Sequence, residues 1–241
     1  SKGYQYLTDF DNEYIPNFTF KIGSIIIKKI VCMEYMKNTV CILYKIKNGN
    51  YKTKLTLAPV MAFRNIHEAN KDKEYNIEQE RCNDNIKIIL DKQNDMPINV
   101  KISEGEYIEH NRDIFRGMYY KEEEKRGLDA EENLIVPGRF EIEIGANEEK
   151  EISFVCSLNE KIQKVDVKNV IKNEVVRLRK LLTKSKLCKN KDGESKRKYL
   201  QQYVISTDKF VAYRTSTKLH TLLAGYPWFL DWGRDTLISF E

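Results

Sequence analysis

An antiparallel β-sandwich followed by helices is the fold class that the sequence predicts, and three observations predict it. From Phe18 to Phe154 short β-branched and aromatic runs alternate with turn residues. No helical period interrupts those runs. Beyond Leu158 the apolar spacing changes from two to three and four, the period of a helix buried on one face.

The elements follow in order. FTFKIGSIIIKKIVCMEY reads as a hairpin turning at Gly23-Ser24, and TVCILYKIKNGNYKTKLTLAPVMAF as a second hairpin, with Asn48-Gly49 as a type I′ turn pair. NIKIILD and INVKI are two further strands, MYYKEEEKRGLD is an acidic-basic stretch, and GRFEIEIGANEEKEISFVCSL is two alternating strands joined by a turn at Gly145. So many strands at regular spacing imply a sandwich. From Asp166 to Leu187 the residues Val167, Val170, Ile171, Val175, Leu178, Leu181 and Leu182 share one helical face, with Asp166 as N-cap. CKNKDGES is a polar linker. A second helix is expected from Ser195 to Arg214, with Tyr199, Leu200, Tyr203, Val204, Phe210 and Val211 turned inward. The expected organisation is a sandwich over 1–160, a linker helix and polar loop over 161–194, and a further domain beginning at 195.

Composition excludes several classes. The 241 residues can bury a sizeable core, and a mean hydropathy of −0.58 describes a soluble folded protein. No apolar run is long enough for a transmembrane helix. The N-terminus SKGYQY has no initiator Met and no signal peptide, so a cytoplasmic protein, seen as an internal or trimmed piece, is expected. Five cysteines (Cys32, Cys41, Cys82, Cys156 and Cys188) form no CxxC pair and read as reduced thiols. With only His67, His110 and His220 to add, neither a metal nor another cofactor is expected. A net charge of +5 from 41 basic and 36 acidic residues fits a solvated Lys-rich surface, without nucleic acid as a partner.

The chemistry concentrates at the end, in AGYPWFLDWGRDTLISFE, which holds both tryptophans of the chain. Indole faces stack on the C–H faces of pyranose rings, Asp accepts hydrogen bonds from sugar hydroxyls and Arg donates them. Buried charge-assisted bonds of this kind contribute about 1.5–3 kcal/mol each. Trp228, Asp231, Trp232, Arg234 and Asp235 are the candidate substrate-binding residues, Pro227 stiffens the approach, Gly233 permits a close backbone contact, and Asp231 is placed to cap a following helix. A packed aromatic core with an Arg–Asp ion pair would carry the same residues.

This stretch resembles the motif that opens the catalytic domain of prokaryotic-type glycogen debranching enzymes, the amylo-α-1,6-glucosidases. TFKIGSIIIKKIVCMEYMKNTVCILYKI, LAPVMAFRNIHEAN, FRGMYYKEEEKRGLDAEENLIVPGRFEIEI and STDKFVAYR are similar to the family's N-terminal sandwich and first barrel helix, in the same order. The resemblance implies a super-sandwich-like β-domain, a linker helix and the first helices of an (α/α)6 barrel truncated at Glu241. It implies glycogen or another branched α-glucan as partner, and hydrolysis of α-1,6 glucosyl stubs as the parent activity. By analogy with related inverting glucosidases, Trp232, Arg234 and Asp235 hold the terminal glucose. The acid and base, about 6.5–9.5 Å apart in such enzymes, would lie outside this chain, so no catalytic residue is expected within it. In FRNIHEAN, Arg64, Asn65 and His67 are candidate loop contacts to the barrel mouth, or belong to a loop packed on its own domain. Arg126 and Asp129 either brace a domain interface or lie in a solvated cluster. The alternative function is a stand-alone glucan-binding sandwich without catalysis.

Overall fold

The computed structural model describes residues 2–71, 75–90, 96–158, 162–185, 194–226 and 229–239. These divide into two compact units, Ser1–Ile171 and Lys172–Glu241. The first contains strands β1 (Leu7–Asp11), β2 (Asn17–Ile22), β3 (Ile25–Met33), β4 (Thr39–Lys47), β5 (Thr53–Leu57), β6 (Glu78–Cys82), β7 (Asn85–Ile89) and β8 (Ile98–Ile102). β9 (Glu106–Tyr119), a single turn α1 (Lys121–Lys125), β10 (Glu131–Ile144) and β11 (Glu149–Ser157) follow. Helix α2 (Val167–Lys184) crosses the division.

Eight strands form one antiparallel sheet in the order β1-β2-β3-β4-β11-β8-β7-β6, and three form a second in the order β5-β10-β9. Alternation of side chains along each strand turns one face of each sheet toward the other. Ile46, Ile88, Val100, Ile152 and Phe154 from the larger sheet pack with Tyr107, Phe140, Ile142 and Ile144 from the smaller, all nearly inaccessible. This is the expected β-sandwich. On the outer face of the larger sheet, Cys41, Leu43 and Val155 lie under Ile162 and Val167, with Val165, Val170 and Ile171 packed against them. The start of α2 therefore shares the sandwich's apolar burial. Asp166 caps that helix as expected, its Oδ1 accepting from the amides of Lys168 and Asn169 at 3.0 and 3.2 Å.

Two sequence expectations about pairing divide here. Gly23-Ser24 does close a hairpin: Ile22 pairs with Ile25, and Gly23 takes a φ of +59°, which glycine adopts freely. Asn48-Gly49 does not. β4 pairs with β11 in the large sheet and β5 with β10 in the small one, so the turn is a corner between sheets. Asn48 is buried there. Its Nδ2 donates to the carbonyls of Tyr51, Ile144 and Gly145 at 2.9, 3.2 and 2.7 Å, and its Oδ1 accepts from Thr53 at 3.0 Å. A side chain that satisfies this many partners favours the corner over a local hairpin. The strands around Gly145 likewise belong to opposite sheets. β7 and β8 match NIKIILD and INVKI, and the edge strand β6, all polar but for Cys82, was not anticipated.

The second unit contains α3 (Glu194–Asp208), strands β12 (Val211–Arg214), β13 (Leu219–Gly225) and β14 (Phe229–Asp231), and a short helix α4 (Gly233–Ile238). The helix expected to reach Arg214 ends at Asp208. Val-Ala-Tyr-Arg instead pairs antiparallel with Leu219–Leu222, because alternating apolar residues satisfy a two-residue period as readily as a helical one. Among the described side chains of α3 Ile205 is buried, whereas Tyr199 and Tyr203 are exposed. The linker CKNKDGES lies largely outside the described residues, as does Cys188.

Candidate functional site

β13 is the centre of a three-stranded sheet with β12 and β14 at its edges, and β14 leads directly into α4. Trp232 occupies the N-cap position of α4 in extended conformation, so the expected cap is displaced by one residue: Asp231 is the last residue of the strand, not the cap. The reason is in its bonds. Asp231 Oδ1 accepts from Arg214 Nη2 at 2.9 Å and Oδ2 from the Thr221 hydroxyl at 2.8 Å, which holds the carboxylate toward the sheet. Only 14% of its side chain is exposed.

Trp232, Arg234 and Asp235 do lie together. The Arg234 guanidinium carbon is 5.6 Å from the centre of the Trp232 ring, a cation–π contact, and its Nε is 3.6 Å from Asp235 Oδ2. Trp232 is 53% exposed, and the Arg234 side chain 71%. Asp235 Oδ2 is itself shielded from solvent yet has no hydrogen-bond partner. The segment thus sets an exposed indole and an exposed guanidinium beside a carboxylate oxygen that accepts no hydrogen bond. Trp232 and Arg234 reach solvent, while the Arg–Asp ion pair of the packed alternative is present between Arg234 and Asp235. A Cβ on Gly233 would meet nothing within 4 Å, so no close backbone approach explains that glycine here. Pro227 and Trp228 lie outside the described residues.

The FRNIHEAN loop is built differently. Arg64 Nη2 donates to Glu132 Oε2 at 2.8 Å and its Nε bonds the other carboxylate oxygen, while Tyr120 donates to Glu132 Oε2 at 2.7 Å. Glu132 is 1% exposed. Hydrogen bonds from Arg64 hold its carboxyl below the usual range against the opposing effect of burial. Arg64 Nη1 further donates to the carbonyls of Asn65 and Ile66 at 3.0 and 3.3 Å, and Asn65 Oδ1 accepts from the His67 amide at 3.0 Å. Arg64 thus ties the loop to β10, and of the three candidates only Asn65 and His67 stand outside this bidentate pair. Asp129 pairs with Lys71, and Arg126 with Glu123. Sequence reading missed Glu132, Arg214, Thr221 and Thr236, whose partners are distant or ordinary in composition. Among the described residues no group of three metal-ligating side chains occurs, and no helix is long and apolar enough to cross a membrane.

Residues 1–151 match the family model described as glycogen debranching enzyme N terminal, and residues 205–241 match the one described as amylo-alpha-1,6-glucosidase. The two define a glucan-active enzyme class. The chain belongs to the glycogen debranching enzyme N-terminal family. Among solved structures, a putative kojibiose phosphorylase from the human microbiome aligns over 85% of this chain and 25% of its own, at 12% identity and a TM-score of 0.36. The chain therefore spans a quarter of that protein's length. No curated protein matches it.

Proposed function

We propose that this chain is the N-terminal part of an enzyme that hydrolyses the α-1,6-glucosyl stubs of a branched α-glucan, and that Trp232, Arg234 and Asp235 form part of its terminal-glucose subsite. The observation that carries the reading is the exposed Trp232–Arg234 pair beside an Asp235 carboxylate oxygen that accepts no hydrogen bond, inside the segment that matches the amylo-alpha-1,6-glucosidase model. The indole receives the sugar's apolar face. Arg234 donates to a pair of vicinal hydroxyls and Asp235 accepts from one of them, which fixes the orientation of the ring. Because charge-assisted hydrogen bonds strengthen as the ring flattens toward an oxocarbenium-like state, such contacts assist turnover as well as binding. Proton transfer falls to carboxylates of the parent enzyme outside these 241 residues.

The test has two arms. Titration of the chain with panose, a trisaccharide containing one α-1,6 bond, should change tryptophan fluorescence saturably, and incubation with a limit dextrin should release no glucose beyond a heat-treated control. Glucose release would return Asp235 to consideration as a proton-transfer residue, and the absence of saturable binding would remove the subsite.

A further inference from the structure

We propose that Thr221 is a positioning residue for the segment Trp232–Asp235, acting on Asp231 before it and on Thr236 after it. The proposal rests on the reading of that segment as a sugar subsite. Thr221 lies in the central strand β13, and its hydroxyl donates to Asp231 Oδ2 at 2.8 Å. An ionised carboxylate only accepts, so the direction of this bond is settled. Thr221 Oγ1 also lies 3.5 Å from Thr236 Oγ1, in contact only, since each hydroxyl gives its one proton elsewhere. Thr236 in turn directs both its amide and its hydroxyl to the Trp232 carbonyl, each at 3.0 Å. One side chain thus touches the residue that precedes the WGRD tetrapeptide and the residue that follows it.

Such bracketing answers a physical need. α4 is six residues long and none of them is buried, so neither its own hydrogen bonds nor apolar packing can hold Trp232 and Asp235 at a defined spacing. A β-branched residue in the middle strand has few rotamers to lose, so its hydroxyl is aimed at little entropic cost. Arg214 on β12 completes the set from the other side of Asp231, at 2.9 Å. Asp231 and Asp235 therefore have different duties. The first bonds to the sheet, and the second has an oxygen that accepts no hydrogen bond.

The discriminating pair of variants is Thr221→Val, which keeps the shape and loses the hydroxyl, and Thr221→Ser, which keeps the hydroxyl and loses a methyl. For the ligand-free fluorescence arm both are made in the 241-residue chain carrying Trp228→Phe, so that Trp232 is the sole indole; the panose arm keeps Trp228 and is read by calorimetry. Without ligand, Thr221→Val should red-shift Trp232 emission and raise its quenching by acrylamide at unchanged far-UV circular dichroism, while Thr221→Ser stays near the parent. With panose, Thr221→Val should weaken binding about tenfold, the equivalent of one charge-assisted hydrogen bond. Unchanged quenching in Thr221→Val, or equal perturbation in both variants, would overturn the proposal. If the parent chain does not bind panose, the subsite reading fails, whereas the ligand-free quenching contrast still decides the role of Thr221. Should Thr221→Val lose its fold, Thr236→Val is judged by the same quenching criterion.

Discussion

Single residues carry the polar contacts at Glu132 and at Asp235, and the two differ in what their charges face. Glu132 is enclosed by Arg64, Tyr120 and the Asn70 amide, so removing it strands a guanidinium beside the core. Glu132→Ala should cost about 3–5 kcal/mol of unfolding free energy, read by denaturant titration. The pH dependence has a definite sign. Because the carboxyl sits below its unfolded value, its contribution is complete above about pH 4.3 and is lost as pH falls toward the folded pKa. A Glu132→Gln variant should therefore show a flatter decline of melting temperature between pH 5 and pH 3 than the parent. Asp235, partly exposed and outside the sandwich core, should behave otherwise: Asp235→Asn should leave the melting temperature unchanged and weaken panose binding about tenfold, or 1.4 kcal/mol. The WGRD surface was legible in the sequence because its rare side chains are contiguous. Glu132 was not, since its partner Arg64 is 68 positions away and nothing in EENLIV distinguishes one acidic residue from the next.

At the scale of elements, local signals identified strands and turns but not which strands meet. Asn48-Gly49 does not take the positive φ of the expected type I′ turn. The segment joins two sheets because Asn48 bonds to the backbone at Ile144 and Gly145, contacts that no short-range pattern encodes. Asn48→Ala should destabilise the first unit by roughly 1–3 kcal/mol through buried carbonyls left without a donor. Gly138, beside the irregular register of β9 and β10, is a sharper case. A Cβ there would stand 2.5 Å from the Tyr107 ring and 2.6 Å from the Ile108 carbonyl. Tyr107 is only 6% exposed and has nowhere to retreat, so Gly138→Ala should cost about 1–3 kcal/mol, measured as a shift in the denaturation midpoint at unchanged slope. The misjudged end of α3 has the same origin as the misjudged hairpin. Phe210 and Val211 are apolar in both periods, and β13 decides between them.

For the molecule as a whole, the unit Ser1–Ile171 closes both of its apolar clusters within itself. Residues 1–171 alone should therefore unfold cooperatively, with Cys41 inert to thiol reagents at pH 8, since burial pushes its pKa up to about 12. A chain ending at residue 160 lacks Ile162, Val167, Val170 and Ile171, and should label at Cys41 and melt at a lower temperature. Mass spectrometry of the modified peptide distinguishes the two. The way the sheets share the sequence also bears on synthesis. The central strand β4 waits for β11, and Thr39 bonds Ser157 across 118 positions. At about 5–20 residues per second, a ribosome needs roughly 6–24 s to deliver that partner. During this interval the nascent β3–β4 hairpin presents an unpaired apolar edge, and the time it spends exposed, rather than the stability of the finished sandwich, sets how much the emerging chain depends on chaperones.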